Sequence, residues 1–406
     1  MKKMLTVVIG ILGAIVLFSW VWNPQLFKIA WYQKPQVDTY QHFPLRVVKA
    51  STEPFNFSND KSKGHTLDSL LVKNWEGTEV RFDDYFKKGD LLAFLVIRND
   101  TLIYERYGQD YKKMKISNTF SIGKSMISIL VGKAIDQGLI RNTNQKIIEF
   151  LPEFKHIEGF DKLTIHDLLN MKSGLKFKRV GDGIISDLFS DEAKFYYTNN
   201  LKRDLLNVKM DTIPGTGWKY SNLDPLLLTW LLEKATGQKV SEYFEKEIWK
   251  PIGAEYDASW GIDREDGLEN SPSSFQCTAI DLAKIGRLFL HNGEKDSLKI
   301  LPSDWIYRST RISKDNRINT SKGLQKATHQ YYWWLPQTGF EGDYSAEGLR
   351  GQRLYVNPNE KIVIVQFANR GYGGYPYRTI SNHFATKPLS LKTPMDSIQN
   401  HGTRSN

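Results

Sequence analysis

Cysteine is almost absent. Cys277 stands alone in 406 residues, so no intrachain disulfide can form and no Cys-rich metal site exists. It lies in Ser274-Phe-Gln-Cys-Thr-Ala, just ahead of an amphipathic stretch, where a small buried residue is expected. The 8 histidines show no H-E-x-x-H or comparable spacing, so no metal site is expected and no cofactor is implied. No G-x-S-x-G elbow occurs, which excludes the α/β-hydrolase arrangement. Gly123-Lys124-Ser125 has the ending of a phosphate-binding loop, yet Asn118 stands where that loop needs glycine. Long runs of one charge are missing too. The net charge is +10, but Lys and Arg are scattered. The excess is therefore no sign of nucleic-acid binding.

One long apolar run is present. After Met1-Lys2-Lys3-Met4, the residues Leu5 to Trp22 carry no charge. That length is at the lower edge of what spans a bilayer. No small-residue cleavage site follows, and Trp20, Trp22 and Trp31 suit a membrane interface. The expectation is an uncleaved transmembrane helix over residues 1–22 that anchors the chain to the membrane, with a cleaved signal as the alternative. The body of the chain would then be periplasmic or extracellular. Residues 23–60 read as a juxtamembrane connector, residues 61–386 as the folded domain, and the polar tail 387–406 as disordered.

Within the domain, Leu91–Arg98 and Leu102–Tyr107 are β-rich and flank a turn at Asn99-Asp100-Thr101, which predicts a hairpin. Arg353–Val356 and Lys361–Phe367 predict another, and Tyr331–Leu335 a further strand. Ser121–Gln137 has helical apolar spacing and stops at Gly138. More helices are predicted at Ile165–Met171, Pro225–Thr236, Val240–Trp249 and Ala279–His291. Strands at both ends with helices between predict an α+β fold. One antiparallel sheet would be made from both chain ends, beside a mostly helical lobe.

Three segments carry chemistry. Ser121-Ile-Gly-Lys124 puts a hydroxyl and an amine on one face at a helix start, where backbone N–H groups favour negative charge. The alternative is a capping serine with a solvated lysine. In Tyr220-Ser-Asn222, a phenolate could accept a proton if nearby cations lower its pKa. Asn222 could offer its amide to a carbonyl, or could merely cap the next helix. Gly348-Leu349-Arg350-Gly351 precedes a strand. Glycine there could let a substrate approach, or form a turn. Lys176–Asp211 reads as a cleft rim. Its Phe195-Tyr196-Tyr197 cluster could shape acyl selectivity or pack in the core.

Together these segments resemble the three motifs of serine β-lactamase-related hydrolases, nearest the class C β-lactamase, esterase and 6-aminohexanoate-dimer hydrolase branch. Thr164–Leu175 and Thr278–Arg287 resemble that family's linking stretches. The resemblance implies a β-lactamase/transpeptidase-like fold and a serine hydrolase of small-molecule or peptide-like esters or amides. It implies Ser121 as nucleophile and Lys124 with Tyr220 as base and acid. It further implies Asn222 as orienter of the acyl chain, and N–H groups of Ser121 and of Leu349, beside Gly348, as an oxyanion hole. The family often has Lys or His where this chain has Ala346. Without that cation, β-lactam hydrolysis is less expected, unless Arg350 or Arg353 substitutes. A penicillin-binding or acyl-sensing protein with little turnover, or a true β-lactamase, is the alternative.

Overall fold

The computed structural model describes residues 24–385 apart from 63, 75, 109, 180–188, 314–318, 321, 322, 325, 326, 337–341 and 371–374. The main sheet has eight strands. In spatial order they are Ala327–Gln330, Trp333–Pro336, Tyr344–Gly348, Gln352–Asn357, Ile362–Ala368, Leu91–Arg98, Thr101–Tyr107 and Ser58–Asn59. Pairing is antiparallel except at the short parallel edge, Ser58–Asn59. The two chain ends meet at its centre, where Ile97 faces Val363 and Leu95 faces Val365.

Those two strands are apolar almost without interruption because both their faces are covered. Ala93, Leu95, Ile97, Val363, Val365 and Phe367 belong to the large core, with the helices Ile122–Asp136 and Ala279–Leu290. Their neighbours Phe94, Val96, Ile362 and Ile364 point to the opposite side. There they meet Phe82, Tyr85, Tyr377 and Ile380 from two short helices. Each such side chain contributes on the order of 1.5–3 kcal/mol on burial. The first hairpin turns at Asn99 (φ 48°) and Asp100 (φ 58°), short polar residues that tolerate the left-handed region.

Two further features position the site. A four-stranded sheet runs Leu45–Val48, Ala258–Gly261, Phe275–Cys277, Ser117–Asn118, and its last strand leads directly into Ser121. The Leu223–Thr236 helix packs on the Ile122–Asp136 helix and fixes the other side of the lobe.

The α+β layout matches the expectation, with two corrections. No helix among the described residues is long and apolar enough to cross a membrane. The first one, Pro24–Tyr32, has 9 residues. The transmembrane helix expected over residues 1–22 lies outside the described residues, as does the tail 387–406. The membrane anchor and the periplasmic or extracellular placement that depended on it are withdrawn. The second correction concerns Tyr331 and Tyr332. They are not strand residues but turn residues with φ of 46° and 68°. The chain reverses there between Ala327–Gln330 and Trp333–Pro336, while both rings stay buried. Packing has overridden the strand propensity of tyrosine.

Candidate active site

Ser121 is placed by the backbone on either side of it. Thr119 donates from its N–H to the Phe275 carbonyl at 2.8 Å, and its hydroxyl donates to the same oxygen at 2.8 Å. The Phe120 N–H donates to Asn118 Oδ1 at 3.1 Å. Phe120 itself adopts φ 49°, a left-handed conformation that costs a bulky residue energy. That bend starts the Ile122–Asp136 helix with Ser121 at its N-cap, and the serine side chain makes no capping bond. Lys124 Nζ donates to Ser121 Oγ at 2.8 Å instead. Neither half of the capping-serine alternative holds, since Lys124 is 1% exposed.

The second hydrogen bond of Lys124 goes to the Pro272 carbonyl at 2.8 Å. Burial among neutral groups lowers its pKa to about 7. Glu192 pulls the other way and Arg179 adds to the lowering. The ammonium loses solvation here without gaining a carboxylate partner, so the neutral amine becomes accessible at ordinary pH. Gly123 permits this placement, because a Cβ there would run into the Ser271 carbonyl oxygen.

Tyr220 sits over the same pair. Lys124 Nζ lies 5.0 Å from its ring centroid, and the Arg179 guanidinium lies at 5.0 Å. Its ring stacks on Trp334 at 6.2 Å. The expectation of a lowered phenol pKa is corrected. Burial pushes it up to about 12, outweighing the hydrogen bond with Ser121 and the charge of Arg179. The phenol is therefore a proton-bearing hydroxyl near neutral pH. Below it, His329 is buried and neutral. Burial and the Lys124 charge lower its pKa to about 3.

The structure brings Ser121, Tyr220, Gly348 and Leu349 to the wall of one cleft of about 740 Å³, a size suited to small organic ligands. Lys124 lies beneath that wall. Asn222 is 5% exposed, does not line the cleft, and its Oδ1 has no hydrogen-bond partner. Gly348 ends the strand Tyr344–Gly348 rather than opening the next one. The absence of a side chain serves the fold, because a Cβ there would collide with the Thr119 carbonyl oxygen. This close approach sets the third segment against the backbone just before Ser121. Leu349 is half exposed in the cleft.

Ala346 is fully buried and offers the cleft nothing. Arg350 is not among the lining residues and donates instead to the carbonyls of Pro35 at 2.8 Å and Asn369 at 3.0 Å. Arg353 does line the cleft, paired with Glu347 at 3.3 Å. The Phe195-Tyr196-Tyr197 cluster divides its duties. Phe195 joins the main core, whereas Tyr196 and Tyr197 line the cleft. Sequence reasoning covered Arg179 and Glu192 only as part of the Lys176–Asp211 rim, and missed Trp218 and Trp334 on the walls. Trp218 and Trp334 could have been suspected from their places beside Tyr220 and in the aromatic run after Gln330. Nothing in the sequence marked Ile29, Gln33, Lys34 and Pro35, which line the cleft as well.

Comparisons with known proteins bear on the family and the fold. The 6-aminohexanoate-dimer hydrolase of Paenarthrobacter ureafaciens is 25% identical over 288 residues, covering 68% of this chain and 72% of that protein. A D-alanyl-D-alanine-carboxypeptidase/endopeptidase of Escherichia coli (strain K12) is 22% identical over 310 residues, covering 70% of this chain and 74% of the other. The solved structure of a putative 6-aminohexanoate-dimer hydrolase from Bacillus anthracis superposes with a TM-score of 0.72 at 22% identity, covering 90% of this chain and 94% of that one. At that identity the superposition speaks for the fold. The family model described as Beta-lactamase matches residues 82–385. That span holds the whole of the main sheet apart from its two-residue edge, and with it the chain belongs to the beta-lactamase family as a serine hydrolase.

Proposed function

We propose that the chain hydrolyses an ester or amide through an acyl-enzyme on Ser121, with Lys124 as the base and Tyr220 as the proton donor. One observation carries the reading. Lys124 Nζ touches Ser121 Oγ at 2.8 Å while burial brings its pKa to about 7. The neutral amine takes the Ser121 proton as Oγ attacks the acyl carbonyl carbon. The resulting oxyanion is held by the N–H groups of Ser121 and Leu349. As the bond from carbon to the leaving group breaks, the proton passes from Lys124 through the Tyr220 hydroxyl to that group. Water then attacks the acyl carbon by the same route in reverse, yielding the acid and free Ser121.

The buried Ala346 supports an ester or amide substrate over a β-lactam, because no cation stands at that position for the carboxylate that β-lactams carry, and Arg353, which does line the cleft, is already paired with Glu347. The test is a chromogenic short-chain ester assay with burst kinetics on the wild-type protein and Ser121→Ala. A burst followed by steady turnover, both lost in the variant, is expected. A stoichiometric burst without turnover would show an acyl-binding protein instead. Turnover that survives in Ser121→Ala would remove Ser121 from the nucleophile role.

A further inference from the structure

The beta-lactamase match begins at residue 82, yet the chain well before it reaches the cleft. The helix Pro24–Tyr32 packs on the helix Asp191–Tyr197. Ile29 is buried there against Ala193 and Tyr197. Gln25 Nε2 donates to the Lys194 carbonyl at 2.6 Å, and the Tyr197 hydroxyl donates to the Gln33 carbonyl at 2.8 Å. Tyr32 stacks on Tyr197 at 6.2 Å.

Two more bonds join this segment to the motifs themselves. Arg350, in the third segment, donates to the Pro35 carbonyl at 2.8 Å. The Asn118 N–H, three residues before the nucleophile, donates to the Val37 carbonyl at 3.1 Å. Gln33 ends the helix at φ 50°, a conformation uncommon for a residue other than glycine. Ile29, Gln33 and Pro35 all line the cleft with Ser121.

We infer that residues 29–35 form a wall of the substrate site and set the size of the acyl or leaving group it accepts. This rests on the reading of Ser121 as the nucleophile. The wall is held at both ends of its span: by the rim helix Asp191–Tyr197 on one side, and by Arg350 and Asn118 on the other. The apolar faces of Ile29 and Pro35 continue those of Tyr196, Tyr197 and Leu349. These apolar faces suit a hydrocarbon chain or ring attached to the scissile carbonyl, while Lys34, Arg179, Glu192, Glu347 and Arg353 also line the cleft and can meet a polar end of the substrate. The segment is therefore a specificity element outside the matched domain.

The test uses the full chain and two p-nitrophenyl esters, acetate and octanoate. Gln33→Trp narrows the cleft. Gln33→Gly removes the side chain at a backbone conformation that glycine adopts freely, so it retains the fold. Gln33→Trp is expected to lower the octanoate-to-acetate ratio of kcat/KM about tenfold, a size for which pocket fit alone accounts. Gln33→Gly is expected to shift the octanoate-to-acetate ratio the opposite way. An unchanged ratio in both variants, with acetate still turned over, overturns the wall and leaves the Ser121 reading intact. Absence of Ser121-dependent turnover of either ester in the wild type overturns both.

Discussion

Lys124 Nζ lies 2.8 Å from Ser121 Oγ, and its other hydrogen bond goes to a backbone carbonyl, that of Pro272. A lysine so placed is desolvated without being neutralised by a carboxylate. Its proton is weakly held, with a pKa of about 7. kcat/KM for a short ester should therefore rise with pH along a single limb centred near 7. A pH–rate profile checks this. A limb centred near the ordinary lysine value would show that the amine is not the base.

The same burial has a thermodynamic side. The pKa of Lys124 is lower in the folded state than in the unfolded one, so between about 7 and 10.5 the unfolded chain binds the extra proton. Stability should rise with pH across that window. Lys124→Met should abolish turnover yet melt higher than the wild type, with the gap widest below pH 7 and closing as pH rises. Melting curves at several pH values would show this, and a gap that does not depend on pH would contradict it.

Tyr220 carries its proton at neutral pH, with a pKa of about 12. Tyr220→Phe should keep the ring stacking on Trp334 and lose only the hydroxyl. We expect kcat to fall by roughly a hundredfold or more while KM changes little. The limb near pH 7 should remain, because it belongs to Lys124. Disappearance of that limb in the variant would assign it to the tyrosine.

Gly348→Ala should be damaging although its φ of −126° suits any residue. The added Cβ meets the Thr119 carbonyl oxygen, which is backbone and cannot swing aside. A destabilisation of about 1–3 kcal/mol is expected from such overpacking, with loss of activity because Thr119 is two residues from Ser121. Denaturant melts and the ester assay measure both. Wild-type values in each would mean that the strand can retreat freely.

Asp224 lies at the start of the Leu223–Thr236 helix and is fully buried. Ser173 donates to its Oδ1 at 2.7 Å, and hydrogen bonds from Ser173 and Ser221 offset only part of the effect of burial. Burial raises its pKa to about 8. The folded state thus holds the proton more tightly, and this contribution to stability is full at acid pH and is lost as pH rises from the usual carboxylate value through about 8. Asp224→Asn should match the wild type only at and below the ordinary carboxylate value of 3.8 and be clearly the more stable of the two at pH 9. Equal pH dependence in both proteins would show that the carboxyl is solvated.

The elements with a strong period were legible. The hairpin around Asn99-Asp100 and the helix after Ser121 follow from local turn and spacing rules, and the order of the three motifs is written in the chain. What was not legible depends on contacts between distant segments. The phenol of Tyr220 has nearby cations, which favours a lowered pKa, but only the fold reveals that desolvation is the larger effect. Ala346 could be read as a missing cation, yet the direction of Arg350 toward Pro35 is a matter of packing 315 residues apart. The apolar start was read as an anchor, and no helix among the described residues bears that out. Tyr331-Tyr332 has strand composition, but burial of two rings at a reversal overrode it.

The pairing of Leu91–Arg98 with Ile362–Ala368 has a consequence for how the protein comes into being. The strand that leads toward the nucleophile helix waits for a partner made more than 250 residues later. Contacts of such sequence separation are slow to form, and a growing chain leaves the earlier strand edge exposed until that partner has been made. Hydrolytic competence should therefore arrive late and all at once, and a chain cut short before Ile362 would have no working Ser121.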